Sequence, residues 1–100
     1  MKNIISQRTL REHWERSGRG DSEQALKAWY QEVLKANWEN PNDVKAKYLS
    51  ASIVANNRVV FNICGNKYRL VAKINYVNQW VFIRFIGTHK EYDKIDVTTI

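Results

Sequence analysis

Cysteine is nearly absent from this chain of 100 residues, and the single one, Cys64, cannot form an internal disulfide. Cys64 lies within an apolar strand pattern, which predicts a small buried hydrophobic side chain. Long apolar runs are also missing. No segment approaches the roughly 20 apolar residues of a membrane span, and the first residues lack the apolar core of a signal peptide. We therefore expect a cytoplasmic protein that does not associate with a membrane.

The familiar signatures of cofactor sites are missing as well. No group of Cys and His residues has the spacing of a metal site, no Gly-rich phosphate loop precedes a helix, and no Ser or Cys has an evident partner base. We therefore predict neither a metal nor another cofactor. Repeats, low-complexity segments and linkers are absent too, and a chain of this length supports one core, so we expect residues 1–100 to form a single domain.

Acidic residues are missing from residues 51–90, which is the most specific absence in the chain. The whole protein has a formal charge of +6 and a pI of about 9.6, which favours an acidic partner such as nucleic acid. Residues 1–50 carry a nearly balanced set of charges, so the excess is concentrated in the second half. The basic residues of that acid-free stretch are Arg58, Lys67, Arg69, Lys73, Arg84 and Lys90.

The first half of the chain has helical periodicity. A short edge strand at residues 3–5 is expected to precede a first helix that Ser6 caps and that ends near Ser17. Asp21 and Gln24 resemble a capping box and predict the start of a second helix. One broad face of that helix is apolar and is predicted to pack against a sheet: Ala25, Leu26, Trp29, Tyr30, Val33 and Leu34.

Trp29 belongs to this apolar face, so we predict it in the core. Trp38 is open to two interpretations, a core residue or a residue that stacks on a nucleic acid base. The sequence at residues 40–43 ends the helix and can start one further turn that reaches Tyr48.

From residue 53 the apolar period changes to two, which indicates half-buried strands. Gly65 and Asn66 separate two such strands and suit a type II′ turn. This turn fixes a register that places Asn62 opposite Arg69 and Arg58 opposite Lys73.

A second tight turn at Asn78–Gln79 predicts a third strand, with Lys73 opposite Arg84 and Arg69 opposite Thr88. One face of the three strands would then be polar and basic, with Arg58, Asn62, Arg69, Lys73, Arg84 and Thr88. The other would line the core with Leu70, Ala72, Ile74, Ile83 and Phe85. A slip of one residue would turn Arg84 to the core side.

The basic face and the segment GTHKEYD after it carry groups suited to RNA cleavage. Arg69 and Arg84 can each hold phosphate oxygens through two N–H groups and can stabilise a pentavalent transition state. His89 exchanges protons near neutral pH, and Tyr92 supplies a hydroxyl. These groups suffice for cleavage without a metal, in which the 2′-hydroxyl attacks the adjacent phosphate.

Taken with these features, the segments VVFNICGNKYRLVAKI, IRF and GTHKEYD resemble the HigB family, a branch of the RelE-like toxins of toxin–antitoxin systems. The resemblance implies an α+β fold, with two amino-terminal helices packed on a mostly antiparallel sheet. It also implies a ribosome-dependent endoribonuclease that cuts mRNA in the ribosomal A site. A HigA-like antitoxin with a helix-turn-helix domain would neutralise it and would be its only link to operator DNA.

The resemblance implies catalytic roles for Arg69, Arg84, His89 and Tyr92. We assign RNA contacts to Arg58, Asn62, Lys73 and Lys90, and Lys90 is an alternative proton donor to the leaving oxygen. Two other functions stay open at this point. One is a ParE-like toxin that inhibits a topoisomerase without cutting nucleic acid, although it would not need His89 and Tyr92. The other is an RNA-binding module without catalysis.

Overall fold

A computed structural model describes residues 1–100 as one five-stranded sheet with helices on one face. The strands are β1 (Asn3–Ile5), β2 (Ser52–Val54), β3 (Arg58–Ile63), β4 (Tyr68–Asn75) and β5 (Trp80–Thr88), in the spatial order β1-β5-β4-β3-β2. Only β1 and β5 are parallel, and every other neighbouring pair is antiparallel. This architecture confirms the predicted α+β class.

The helices are α1 (Gln7–Trp14), α2 (Glu23–Lys35), α3 (Pro41–Lys47) and the short α4 (His89–Tyr92), with a 3₁₀ turn at Gly20–Ser22. Ser6 caps α1 as predicted, but the helix ends at Trp14 and therefore before Ser17. The predicted capping box at Asp21 is wrong. The Asp21 carboxylate instead accepts a hydrogen bond from the Tyr68 hydroxyl at 2.7 Å and pairs with Lys67, which ties this loop to β4. None of the helices has the length and apolar character that crossing a membrane requires.

The hydrophobic core lies between the helices and one face of the sheet. Leu26, Trp29 and Val33 bury the predicted apolar face of α2 against strand residues such as Phe61 and Leu70. Trp38 is also in this core, with its ring stacked 6.2 Å from that of Phe61, which excludes a role in base stacking in this conformation. Cys64 is only half-buried at the edge of the core.

The hairpin between β3 and β4 has the predicted register. Asn62 lies opposite Arg69 and Arg58 opposite Lys73. Gly65 has a φ of +67°, as the first central residue of a type II′ turn requires, and the Lys67 N–H donates to the Cys64 carbonyl across the turn. Cys64 also takes a positive φ, of +54°, so two consecutive residues have left-handed backbone conformations at this turn.

The predicted turn at Asn78–Gln79 is wrong. Asn75 pairs with Trp80, so four residues, 76–79, connect β4 to β5. Gln79 takes a φ of +61°, and its side-chain amide donates to the carbonyls of Tyr76 and Trp38. These hydrogen bonds stabilise the longer loop. One of them has its acceptor, the Trp38 carbonyl, far away in the sequence.

The register of β4 and β5 therefore differs from the prediction. Lys73 pairs with Phe82, and Arg69 pairs with Gly87, whereas Arg84 and Thr88 had been expected. A β-bulge leaves Arg84 without a partner, because Ala72 pairs with Ile83 and Val71 pairs with Phe85.

The bulge has two consequences for side-chain direction. Arg84 stays exposed, two residues from Phe82 and on the same side of the strand. Phe85 opposes Val71, on the side of the sheet opposite α1, α2 and α3. The prediction that Phe85 lies in the core is therefore wrong.

The sheet surface opposite α1, α2 and α3 is here called the outer face, and the short α4 lies on it. It is formed by alternate residues of three strands: Arg58, Val60 and Asn62 of β3; Arg69, Val71, Lys73 and Asn75 of β4; and Trp80, Phe82, Arg84, Phe85 and Gly87 of β5. Residues 89–100 fold back onto this face, since His89 contacts Arg69 while the backbone oxygen of Ile100 accepts from Arg58. Val60 and Val71 are buried on this face. The exposed residues of the outer face are Lys73 and Asn75 of β4 and Trp80 and Arg84 of β5.

Candidate active site

The centre of the candidate site is Arg69, on the outer face of β4. Its Nη2 lies 2.9 Å from Nε2 of His89, the first residue of α4. Its guanidinium carbon is 5.2 Å from the centre of the Tyr92 ring, within the range of a cation–π contact. The His89 and Tyr92 rings are 6.4 Å apart. Three of the four predicted catalytic residues thus meet at one place.

The contact between Arg69 and His89 determines which histidine nitrogen carries a proton. A guanidinium has only N–H donors, so Nε2 of His89 must accept and must hold a lone pair. In the neutral ring the proton is then on Nδ1, which lies 3.4 Å from a carboxylate oxygen of Asp93. The Arg69 N–H occupies this lone pair, so Nε2 can act as a general base only when the guanidinium donates to a phosphate instead.

Helix α4 is short, and local sequence explains its start. Thr88 caps it by accepting from the Glu91 N–H at 3.3 Å, and the Glu91 carboxylate accepts from the Thr88 N–H at 2.9 Å. This capping box satisfies two backbone donors that would otherwise be free. It sets the direction in which His89 and Tyr92 leave the end of β5.

Glu91 also ties α4 to the loop after α1. Both of its oxygens accept from Arg19, at 2.8 and 3.0 Å, and Arg16 lies 3.8 Å away. The hydrogen bonds from Arg19, followed by the one from Thr88, lower the pKa of Glu91 to about 2. Glu91 is therefore ionised at neutral pH and holds α4 in place.

Gly87 provides the space for this arrangement. A Cβ atom at this position would lie 2.6 Å from Oε1 of Glu91 and 2.7 Å from Cζ of Phe85, closer than side chains approach one another. Gly87 also pairs with Arg69 in the sheet. The absent side chain therefore lets the Glu91 carboxylate pass over the strand directly beside Arg69.

The other predicted site residues lie at different distances from this centre. Arg84 is exposed at the bulge of β5, and Lys90 is exposed on α4. Asn62 pairs with Arg69 in the sheet, and its amide donates to the carbonyl of Ser50. Lys73 is exposed four residues from Arg69 along β4, or about 13 Å at about 3.3 Å per residue.

Arg58 does not have the exposure that an RNA contact requires. It is only 8% exposed, and its guanidinium donates to the backbone oxygens of Asn56 and Ile100. The cause is the path of residues 93–100 across the outer face, which brings backbone acceptors to Arg58. In this conformation Arg58 stabilises the fold, and we leave it out of the proposed RNA surface.

Comparison with known proteins identifies the family. The profile of HigB_toxin, described as the RelE-like toxic component of a toxin–antitoxin system, matches residues 22–95. The chain belongs to the HigB toxin family. The mRNA interferase toxin HigB of Escherichia coli K12 is 31% identical over 91% of this chain and 88% of its own length. The mRNA interferase HigB of Shigella flexneri has the same values, and that of Escherichia coli O6:H1 is 30% identical over 71% of each chain.

Five residues that shape this candidate site were not predicted as catalytic or RNA-binding. The Thr88–Glu91 capping box could have been found from its four-residue spacing, and Asp93 from its position one helical turn after His89. Gly87 could have been suspected only as a glycine within a strand. Arg19 gave no signal, since it lies 72 residues from Glu91 and outside the segment that matches the family profile.

Proposed function

We propose that this toxin is an endoribonuclease that cleaves mRNA during translation, in the ribosomal A site. The observation that carries the proposal is the contact of Arg69 with Nε2 of His89 beside the Tyr92 ring. The names of the relatives as mRNA interferases support the same activity.

In the proposed reaction, Arg69 donates to the phosphate and so releases Nε2 of His89, which removes the proton of a ribose 2′-hydroxyl. The 2′-oxygen forms a bond to the adjacent phosphorus, and the bond from phosphorus to the 5′-oxygen breaks. The leaving oxygen takes a proton from Tyr92 or from Lys90, which both lie on α4 with His89. The products are a 2′,3′-cyclic phosphate on one fragment and a 5′-hydroxyl on the other.

The cations of the site hold the phosphate in this scheme. Arg69 is already oriented by the Tyr92 ring, and Arg84 is exposed on the neighbouring strand. Donors aimed at the charge that develops in a transition state contribute typically about 2.7–4 kcal/mol each. The scheme assigns to these arginines the charge stabilisation that a metal ion supplies in other nucleases.

A toxin of this family has an antitoxin partner. We propose a HigA-like protein with a helix-turn-helix domain, which would carry all contacts with operator DNA. Translating ribosomes and this partner would both meet the toxin in the cytoplasm.

A translation extract with purified toxin and a defined message tests the proposal. New 5′-hydroxyl ends should appear on the message only when ribosomes are present. Arg84→Ala should abolish the cuts and leave antitoxin binding intact. Arg8→Ala is the matched control. Arg8 pairs with Glu12 on the exposed surface of α1, so this variant should cleave the message normally.

Three other outcomes would contradict the proposal or its site. An intact message at toxin excess, together with inhibition of a topoisomerase, would indicate a ParE-like toxin. Binding of RNA without any cut would indicate a non-catalytic RNA-binding module. Cleavage that survives both His89→Ala and Arg84→Ala would show that the site lies elsewhere.

A further inference from the structure

Strand β5 carries two aromatic side chains on the outer face that neither the core nor the proposed reaction uses. Trp80 and Phe82 alternate on this strand, with ring centres 5.8 Å apart. Trp80 is 38% exposed, whereas Trp29 and Trp38 are buried in the core. A tryptophan exposed on a sheet loses the stabilisation that its burial would give, so its position suggests a binding role.

Basic residues lie next to these rings. Lys73 pairs with Phe82 across the sheet, and both line a surface concavity of about 500 Å³ together with Asn57, Asn75 and Tyr76. No acidic side chain lines this concavity. Arg84 follows Phe82 on the same side of β5. We name Lys73, Trp80, Phe82 and Arg84 the β5 patch.

The β5 patch is continuous with the candidate active site. Arg84 lies beside Phe85, whose ring is 6.4 Å from that of Tyr92. Residues 93–100 run toward Arg58 on β3 and leave the outer side of β5 open. A strand of RNA bound at Arg69 can therefore continue over the exposed part of this face, which includes Lys73, Trp80 and Arg84.

We propose that the β5 patch binds single-stranded RNA, with an unpaired base stacked on Trp80 and Phe82 and a phosphate held by Lys73. This inference rests on the proposed function and adds a subsite to it. Phe82 and Trp80 lie opposite Lys73 and Asn75, about 13 and 20 Å from Arg69 along β4, so the stacked base belongs to a different nucleotide from the one that is cleaved. Aromatic faces beside cations are the usual means of holding unpaired bases without reading their edges.

The test measures binding of a 2′-O-methyl oligoribonucleotide, which cannot be cut because its 2′-oxygen is blocked. Trp80→Ala should weaken binding about 5- to 100-fold, the usual effect of losing one stacked base. Trp80→Phe should stay within about threefold of wild type, since a ring remains. Leu49→Ala is the matched control: Leu49 is 78% exposed, lies outside the patch and should have no effect.

The salt dependence separates stacking from charge. Lys73→Ala should reduce the slope of log affinity against log salt by about 0.7, the value for one phosphate contact with single-stranded nucleic acid. Trp80→Ala should lower affinity equally at every salt concentration and leave the slope unchanged. Circular dichroism checks that each variant is folded, and Lys73→Ala removes an exposed side chain that the fold does not need.

The outcomes also distinguish this inference from the proposed function. RNA binding that depends on Trp80, without cleavage of an unmodified message, would support the patch and contradict the nuclease. Cleavage by wild type with equal RNA affinity for wild type, Trp80→Ala and Lys73→Ala would overturn the patch and leave the nuclease standing. Absence of RNA binding by wild type, or loss of antitoxin binding alone in Trp80→Ala, would also overturn it.

Discussion

Two arginines on the outer face, Arg58 and Arg69, differ in what surrounds them. Arg58 is buried and donates to two backbone oxygens. Arg69 is partly exposed, and the contacts of its guanidinium are with the imidazole of His89 and the ring of Tyr92. Both residues have the same charge and lie on neighbouring strands.

The difference shows that position on a basic face is a weak guide to function. A guanidinium whose donors are taken by backbone oxygens is already committed to the fold. One that contacts an imidazole lone pair and an aromatic face keeps donors for an anion. The hydrogen-bond partners of a cation therefore separate the two roles, and the following variants test that separation.

The largest expected effect comes from removing the polar partner of Arg69. His89→Ala should lower the cleavage rate about 100- to 10,000-fold, because general acid–base groups typically contribute that much. Single-turnover cleavage on programmed ribosomes measures the rate. His89 is half-exposed on a short helix, so the midpoint of chemical denaturation should change little. A normal cleavage rate in His89→Ala would contradict the role of His89 as the catalytic partner of Arg69.

Arg58→Ala should act on stability. Loss of its hydrogen bonds leaves backbone acceptors unpaired and should cost about 1–3 kcal/mol of unfolding free energy. For a domain of this size each kcal/mol lowers Tm by about 4–8 °C. Thermal unfolding followed by circular dichroism measures the change. An unchanged Tm would mean that the contacts of Arg58 are not those of the protein in solution.

Low pH should destabilise the region next to Arg69, because it protonates the buried His13. His13 is buried against Tyr68, and its Nδ1 contacts the Ser22 hydroxyl at 3.0 Å. Burial, and then the charges of Arg19 and Arg16, lower its pKa to about 4, against the opposing effect of Glu91 and Asp21. A histidine whose pKa is lowered by folding takes up protons more readily when unfolded, so its contribution to stability is complete above about pH 6.5 and is lost toward pH 4.

The expected loss is about 2 kcal/mol between pH 7 and pH 5, from about 1.36 kcal/mol per unit below the unfolded pKa. Denaturation at several pH values measures it. His13→Gln should remove this dependence, since Gln does not titrate in that range. Ionised Glu91, with its pKa of about 2, adds a separate loss only below about pH 4.5. Stability that is independent of pH from 7 to 5 would contradict the buried neutral histidine.

Gly87→Ala has the smallest expected effect on stability, at least about 1 kcal/mol, because the added methyl group overpacks Glu91 and Phe85. Cleavage should fall as well, since α4 must shift away from Arg69. Gly20→Ala is the matched control, because its Cβ would meet only the Trp14 carbonyl oxygen at an ordinary 3.9 Å. Equal stability and equal cleavage in the two variants would argue against close packing at Gly87.

Sequence reasoning succeeded where structure depends on neighbouring residues. The turn at Gly65 and Asn66 predicted the β3–β4 register, and the segment after β5 identified His89 and Tyr92 as neighbours of Arg69. The spacing of apolar residues likewise identified the buried face of α2.

Sequence reasoning failed where contacts between distant residues determine the structure. The loop at residues 76–79 depends on a hydrogen bond from Gln79 to Trp38, and the bulge at Arg84 has no local sign. The burial of Arg58 depends on the return of residues 93–100 across the sheet. The link from Arg19 to Glu91 joins residues 72 positions apart. Such contacts follow from the finished fold and have no pattern of their own in the sequence.

The most direct test measures Arg69→Ala and Arg58→Ala side by side. Both are assayed by single-turnover cleavage of mRNA on programmed ribosomes, at a temperature where both are folded. The account predicts that Arg69→Ala lowers the rate about 100- to 1,000-fold, the usual effect of losing one donor to a transition state. Arg58→Ala should cut within about threefold of wild type. Equal losses in the two variants, or the reverse order, would contradict the assignment of the active site to Arg69.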